Sequence, residues 1–267
     1  MKKILFYCLI VSLLILNSCT NEELEGNDLV LPKTLKVTYP GSSENDIINF
    51  VYDGNKIVSV INKSERINYS YEDDKIVKIV NYSLERGQEI KSSEISFTYK
   101  NGSLDTAVKI ENGNKSKCIY IYKEGGIIEK ENYYFDNQTG KESKNTKNQI
   151  LTVINGNLLK SVFNWESRPE ITTTSHYDYD SNNNAFKNVL GFNLLLDQAN
   201  FDYEPELNIS CANNLEKHIE SAIHGPDISF EPYANTMQYQ YNAKGYPIKT
   251  MIYDYTERAI RIIEYTY

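Results

Sequence analysis

The feature that most constrains this fold is a short unit that recurs along the chain: an alternating strand ending in Tyr, a tight polar turn, then an aliphatic strand. Its first copy reads Ile48-Asn49-Phe50-Val51-Tyr52, Asp53-Gly54-Asn55-Lys56, Ile57-Val58-Ser59-Val60. The unit returns from Ile67 to Ile79, starts again at Ile95 with Asn101-Gly102 and at Cys118 with Gly125-Gly126, degenerates around Asn155-Gly156, and is clear once more from Met237 to Ile248. Alternation of period two puts Ile48, Phe50 and Tyr52 on one sheet face and Asn49 and Val51 on the other, so each unit is one β-hairpin with a core side. Asn-Gly, Gly-Asn and Gly-Gly are the pairs that accept positive φ in two-residue hairpin turns.

The tyrosines at 52, 71, 99 and 122 are unevenly spaced. That suits a meander whose second turns vary in length and suits a propeller or solenoid poorly, because those keep a fixed period. The second turns are legible at Asn62-Lys63-Ser64-Glu65, Glu85-Arg86-Gly87-Gln88, Asn112-Gly113-Asn114 and Asp136 to Gly140. Tyrosine stands out at 22 residues against 9 Phe and 1 Trp, a usage that favours strands. The expectation is an all-β domain over 32–267, roughly twelve to sixteen strands in one long antiparallel up-and-down meander that curls into a barrel-like or strongly curved sheet. Val189 to Asp197 is apolar at too many consecutive positions for a half-exposed strand and predicts a short buried helix or plug. With Pro205, Pro226 and Pro232 following, 189–233 reads as one helical and loop insertion closing an end of the sheet.

Lys2-Lys3 and the apolar run Ile4 to Leu16 have the form of a signal peptide and are too short to span a membrane. Leu16-Asn17-Ser18-Cys19 resembles the bacterial lipobox, which implies a leader over 1–18 and a lipid on Cys19. Residues 19–31 are then a polar, acidic tether that resembles the signal exporting lipoproteins to the outer face of the outer membrane in Bacteroidota. Losing Lys2 and Lys3 from 28 basic residues leaves 26 against 36 acidic ones, a charge of −10. Such a charge excludes nucleic acid as a partner and leaves the lipid as the link to the membrane.

Over almost the whole mature chain the sequence resembles an uncharacterised family of Bacteroidota surface lipoproteins whose fold is described as porin-like. The lipobox, the Tyr-x-x-Gly-x-Ile hairpins, the run Tyr177-Asp178-Tyr179-Asp180-Ser181-Asn182-Asn183-Asn184-Ala185-Phe186-Lys187-Asn188 and Cys211-Ala212-Asn213-Asn214 carry the resemblance. Family members often have Asn-Pro where this chain has Asn184-Ala185. The hairpins also resemble, more loosely, the YD repeats of bacterial surface proteins. The resemblance implies a fold and an address and carries no activity.

No catalytic signature stands out. Asp178-Tyr179-Asp180-Ser181-Asn182 starts like a calcium loop, but Asn183 replaces the required Gly and Val189 the bidentate Glu, so a turn explains the run. His176, His218 and His224 lack metal spacing and read as surface or loop residues. There is no nucleophile elbow, no phosphate loop and no distinguishable carboxylate pair. Neither cofactor nor metal is expected. Cys118 occupies the place that Ile48 holds in its hairpin, which suggests a buried thiol rather than a bridge to Cys211. Trp165, Tyr203 and Tyr233 are the candidate ligand contacts, since rings beside loops can stack on a glycan or peptide. The expected role is non-enzymatic, either ligand binding or an envelope scaffold; the alternatives are a glycan- or nutrient-binding accessory to an outer-membrane importer and, less favoured, a hydrolase. A transmembrane barrel fits poorly, because Lys, Glu and Asn interrupt the strands about every five residues. The oligomeric state is open.

Cys19→Ala is expected to release the protein from the membrane fraction, with loss of the acyl mass from the mature N-terminus. Fractionation followed by mass spectrometry checks this, and unchanged membrane retention would refute the lipid assignment.

Overall fold

The computed structural model describes residues 29–165, 168–199, 210–224 and 232–267. The leader, Cys19, the tether up to residue 28 and Tyr203 lie outside the described residues, as does the side chain of Trp165. The strands are β1 (Thr34–Thr38), β2 (Asn45–Asp53), β3 (Lys56–Ile61), β4 (Glu65–Glu72), β5 (Lys75–Glu85), β6 (Gln88–Lys100), β7 (Ser103–Glu111), β8 (Asn114–Tyr122), β9 (Ile127–Phe135), β10 (Glu142–Lys144), β11 (Lys147–Ile154), β12 (Asn157–Trp165), β13 (Arg168–Tyr179), β14 (Leu215–His224), β15 (Tyr233–Tyr241), β16 (Pro247–Tyr253) and β17 (Ala259–Thr266).

Each strand pairs antiparallel with its neighbours, and β1 pairs with both β2 and β17, closing a 16-strand up-and-down barrel. The three-residue β10 lies outside that count and pairs with the far end of β9. At the seam Leu35 faces Tyr265 on one side and Ile48 on the other, so apolar residues meet across the closure. The inner face carries Leu35, Val37, Ile48, Ile57, Ile76, Phe97, Leu104, Leu151 and Ile263, all almost fully buried.

All the Tyr-x-x-Gly-x-Ile turns fall at one end of the barrel, and the longer second turns fall at the other. At the first end a ring of tyrosines ties strands to the ones before them. Tyr99 donates to Ile76 O (2.6 Å), Tyr122 to Leu104 O (3.0 Å), Tyr179 to Leu158 O (2.8 Å), Tyr239 to Leu215 O (2.7 Å) and Tyr267 to Pro247 O (2.7 Å). In each case the acceptor lies at or near the start of the preceding strand. A register shift sits immediately before Tyr52, Tyr71, Tyr99 and Tyr179, and such a bulge turns the ring inward and towards the end of the strand. Burial pushes the Tyr71 hydroxyl up to about 12, so it remains a neutral donor to Leu190 O at 3.0 Å.

The expected plug is present, with different bounds. The described parts of the link between β13 and β14, residues 180–199 and 210–214, fold into the Tyr-ringed end and pack Phe186 against Phe50 (centroids 5.4 Å), Phe192 against Tyr69 (5.8 Å) and Phe186 against Phe192 (6.0 Å). Among the described residues its helical character is confined to two 3-10 turns, Phe192–Leu194 and Leu196–Gln198. The run is apolar on all sides because barrel wall surrounds it. Gly191 supplies a positive φ of +79° where the chain passes β5: a Cβ there would lie 3.2 Å from Asp74 O. The region expected as one insertion over 189–233 is interrupted, because 215–224 is β14 and Tyr233 opens β15. β14 hid in the sequence because its inward residues, His218 and Glu220, are polar and its outward ones include Ile219 and Ile223.

Asp180 fastens the plug. Its carboxylate accepts from Asn182 N (3.0 Å), Asn214 N (3.0 Å), Asn214 Nδ2 (3.1 Å) and the Tyr241 hydroxyl. The calcium-like run is thus a hydrogen-bonded turn. At the plug tip Asp197 pairs with Lys130 of β9 and accepts from the Tyr120 hydroxyl at 2.8 Å. Burial pushes the Asp197 carboxyl up, but attraction to Lys130 and the hydrogen bonds outweigh it and hold the group below the usual carboxylate range. Burial lowers the Lys130 amine, and Asp197 more than restores it.

Asp197→Asn is therefore expected to cost about 3–5 kcal/mol near neutral pH, because it strands a buried ammonium, whereas Lys130→Met with Asp197→Leu is expected to recover most of that loss. The Asp197 pKa is depressed on folding, so its contribution is present above the unfolded value of about 3.9 and is lost as pH falls through the folded value. The raised Lys130 pKa gives a contribution present below about 10.4 and lost as pH rises through its folded value. Denaturant midpoints against pH check both: the gap between wild type and Asp197→Asn should narrow below about pH 4.

Candidate functional site

The half of the lumen away from the plug has a different inner wall. Register places Tyr177, His218 and Asn235 side by side on β13, β14 and β15, and one row nearer the mouth Ser175, Glu220 and Tyr233. Beyond Ser175 the inward row continues through Ser161 to Leu151. Elsewhere at these levels the wall presents Asn81, Ser93, Lys109, Ser116, Cys118, Asn132 and Gln149. Alternation fixes the orientation: these residues share the face that carries Phe97, Tyr120 and Met237 nearer the plug.

Inward residues near the second turns are exposed, Tyr134 at 54% and Tyr233 at 43%, together with Glu220 and Ser116. An inward residue of a closed barrel can be exposed only where the lumen admits solvent. The plug seals the opposite end, and the described wall therefore forms a cup.

Most polar groups in this cup are already satisfied. Gln149 Nε2 donates to Ser161 Oγ (2.9 Å), Asn81 Nδ2 to Ser93 Oγ (2.8 Å), Cys118 Sγ to Asn132 Oδ1 (3.2 Å) and Ser175 Oγ to Glu220 Oε2 (3.4 Å). Three inward charge pairs are Lys63 with Asp46 (2.8 Å), Lys109 with Glu111 (2.8 Å) and Lys130 with Asp197, whereas the inward carboxylate of Glu220 has the neutral Ser175 hydroxyl as its hydrogen-bond partner. Tyr177 and His218 stack with centroids 4.8 Å apart and planes 7° apart, and burial raises the Tyr177 hydroxyl. Asn81 Oδ1 and Asn235 Oδ1 are exceptions, and Asn235 is the more deeply buried of the two. It is 1% exposed, and its Oδ1 is buried with no hydrogen-bond partner among the described residues. Such an acceptor costs about 1–3 kcal/mol of stability.

Of the candidate contacts, Tyr233 lies at the cup mouth, where its ring tilts against Tyr255 at 6.0 Å, and Tyr255 is 68% exposed. It is the first residue of a strand rather than part of a loop. Trp165 ends β12, with its side chain outside the described residues, and Tyr203 lies wholly outside them. Of the three, Tyr233 alone has its side chain among the described residues. Sequence reasoning missed His218 and Asn235, and only the alternation of β14 and β15 marks them. His176 is exposed and faces outward, opposite Lys160. Both described cysteines are free: Cys118 is half-buried on the inner wall and Cys211 is buried within the plug segment beside Tyr179 and Leu158, and burial raises each thiol. Among the described residues no group of three His, Cys, Asp or Glu side chains could hold a metal.

A second concavity, of about 450 Å³, lies on the outer side of the plug between Leu29, Asn55, Lys187, Asn188 and Asn193. It is an open surface cleft rather than an enclosed site.

The barrel has counterparts among solved structures. A porin-like protein from Bacteroides vulgatus superposes with a TM-score of 0.51 at 15% identity, over 89% of this chain and 98% of that one. A porin-like protein from Bacteroides uniformis aligns at a TM-score of 0.48 and 10% identity, over 89% and 97%. No protein-family model and no curated protein matches the chain. The first superposition shows that the two proteins share the porin-like barrel fold.

Proposed function

We propose that this chain is a lipid-anchored protein of the outer membrane or cell surface whose plugged barrel is a non-enzymatic, single-mouthed cup for a ligand. The observation that carries the reading is the asymmetry of the lumen: an apolar plug at one end, and a polar, solvent-reached inner wall at the other. A passage is a poor reading of a lumen whose interior ends in packed Phe50, Phe186 and Phe192.

The outer wall supports anchoring over spanning. Lys36 pairs with Glu264 (3.6 Å), Lys78 with Glu94 (3.4 Å) and Lys144 with Glu131 (3.0 Å) on outward faces. In a lipid-facing band each such cation would cost about 2–4 kcal/mol at the bilayer midplane. In water these pairs are near neutral in stability and keep the surface soluble. The start of the described chain supports an orientation too. Val30 O accepts from Asn188 Nδ2 of the plug at 3.1 Å, so a tether running back to Cys19 leaves from the sealed end. The mouth then opens away from the bilayer that holds the lipid.

Protein added to planar lipid bilayers is expected to give no stepwise conductance, while the same sample fractionates with membranes in an acylation-dependent way. Conductance steps of porin type would overturn the cup and favour a channel.

A further inference from the structure

Asn235 is the one described inner-wall side chain that is almost wholly buried, faces the lumen, and has an acceptor without a donor. Its neighbours across the ladder, His218 and Tyr177, end in polar ring atoms, and the next row adds the Glu220 carboxylate and the Ser175 hydroxyl. The patch therefore mixes acceptors, Asn235 Oδ1 and the Glu220 carboxylate, with donors, the Asn235 amide and the Tyr177 and Ser175 hydroxyls. The Glu220 carboxylate in this patch has a neutral hydroxyl rather than a cation as its partner, so the wall does not attract an anionic ligand. The mouth above it presents two exposed rings, Tyr233 and Tyr255, inclined at 59°.

A peptide suits this wall poorly. Extended peptides bind by adding a strand to an open edge, and a closed barrel has paired its edges away. An apolar ligand suits it no better, because the apolar half of the lumen is filled by the plug. A sugar matches such a mixed wall. Each ring carries several hydroxyls that donate as well as accept, and an apolar C–H face that stacks on an exposed tyrosine.

Resting on the cup reading above, we propose that the wall formed by Tyr177, His218, Glu220 and Asn235, with Tyr233 and Tyr255 at its rim, is a binding site for a neutral carbohydrate. Hydroxyl groups of the sugar donate to Asn235 Oδ1 and Glu220, and the rim rings hold the adjoining residue of the glycan. Asn235 is then a group whose stability cost is offset only in the bound state.

The full mature chain, in detergent or as released from its lipid, is titrated against neutral gluco-, manno-, galacto- and xylo-oligosaccharides, with uronic-acid oligosaccharides and a tripeptide library as parallel arms. The expected result is binding confined to one or more neutral sugars. Asn235→Leu should weaken that binding at least tenfold while leaving the thermal midpoint unchanged or raised, since it removes an unpaired acceptor. Tyr233→Leu with Tyr255→Leu, both exposed, should weaken binding with no change in midpoint. Neutral-sugar binding that survives Asn235→Leu, or a lowered midpoint in that variant, overturns the site. Binding of tripeptides or acidic sugars alone, abolished by a bulky Ser116→Trp in the mouth, overturns the carbohydrate assignment and leaves the cup standing. No binding in any arm overturns both.

Discussion

Closing sixteen strands into a barrel makes a lumen wider than the wall's own side chains can fill, and the rest of this structure answers that constraint. An eight-stranded barrel packs its interior with inward residues alone; one twice that size leaves an aqueous space unless something enters it. Here the β13–β14 link enters. Phe186, Val189, Phe192 and Leu195 give Leu35, Ile57, Ile76 and Leu151 the apolar partners that the opposite wall is too distant to supply. The plug is therefore as much core as the strands are. Without it the inward aliphatic residues at that end would face water, and the barrel would lose the burial that favours closure.

The tyrosines follow from the same geometry. A strand end beside a tight turn exposes backbone carbonyls that a wide barrel does not cover with packed layers. A phenylalanine would fill the space and leave those carbonyls to water, whereas a tyrosine fills it and donates to Ile76, Leu104, Leu158, Leu215 or Pro247 as well. Each such bond is worth about 0.5–1.5 kcal/mol net, and their repetition ties each turn to the neighbouring hairpin. The bulge before the tyrosine is what makes the reach possible, since unshifted pleating would stand the ring perpendicular to the wall.

Much of this was legible in the residues. Period-two alternation with Asn-Gly turns gave hairpins, and both residues of Asn101-Gly102, Asn112-Gly113 and Asn155-Gly156 do adopt positive φ. The apolar run at 189 marked the plug. Closure was not legible, because it rests on pairing Thr34 with Thr266, two residues with no local signal that they meet. The site was hidden for a related reason. Strand signals assume an apolar inward face, and β14 turns His218 and Glu220 inward while Ile219 and Ile223 point outward, so the strand reads as loop. Where a barrel interior is solvated, polarity marks the inside and the usual rule inverts.

That inversion bears on what kind of object the barrel is. A channel needs polar inner wall along its whole length, and a packed β-protein needs apolar inner wall throughout. This chain changes from one to the other midway along its strands: β9 runs from Ile128 through Lys130 to Asn132 and Tyr134. Lys130 stands at the boundary, and its partner Asp197 comes from the plug, so the deepest charge of the polar half is neutralised by the element that seals the apolar half. A lone ammonium there would be expensive on either side. Pairing it with the plug makes the seal and the floor of the polar half a single interaction.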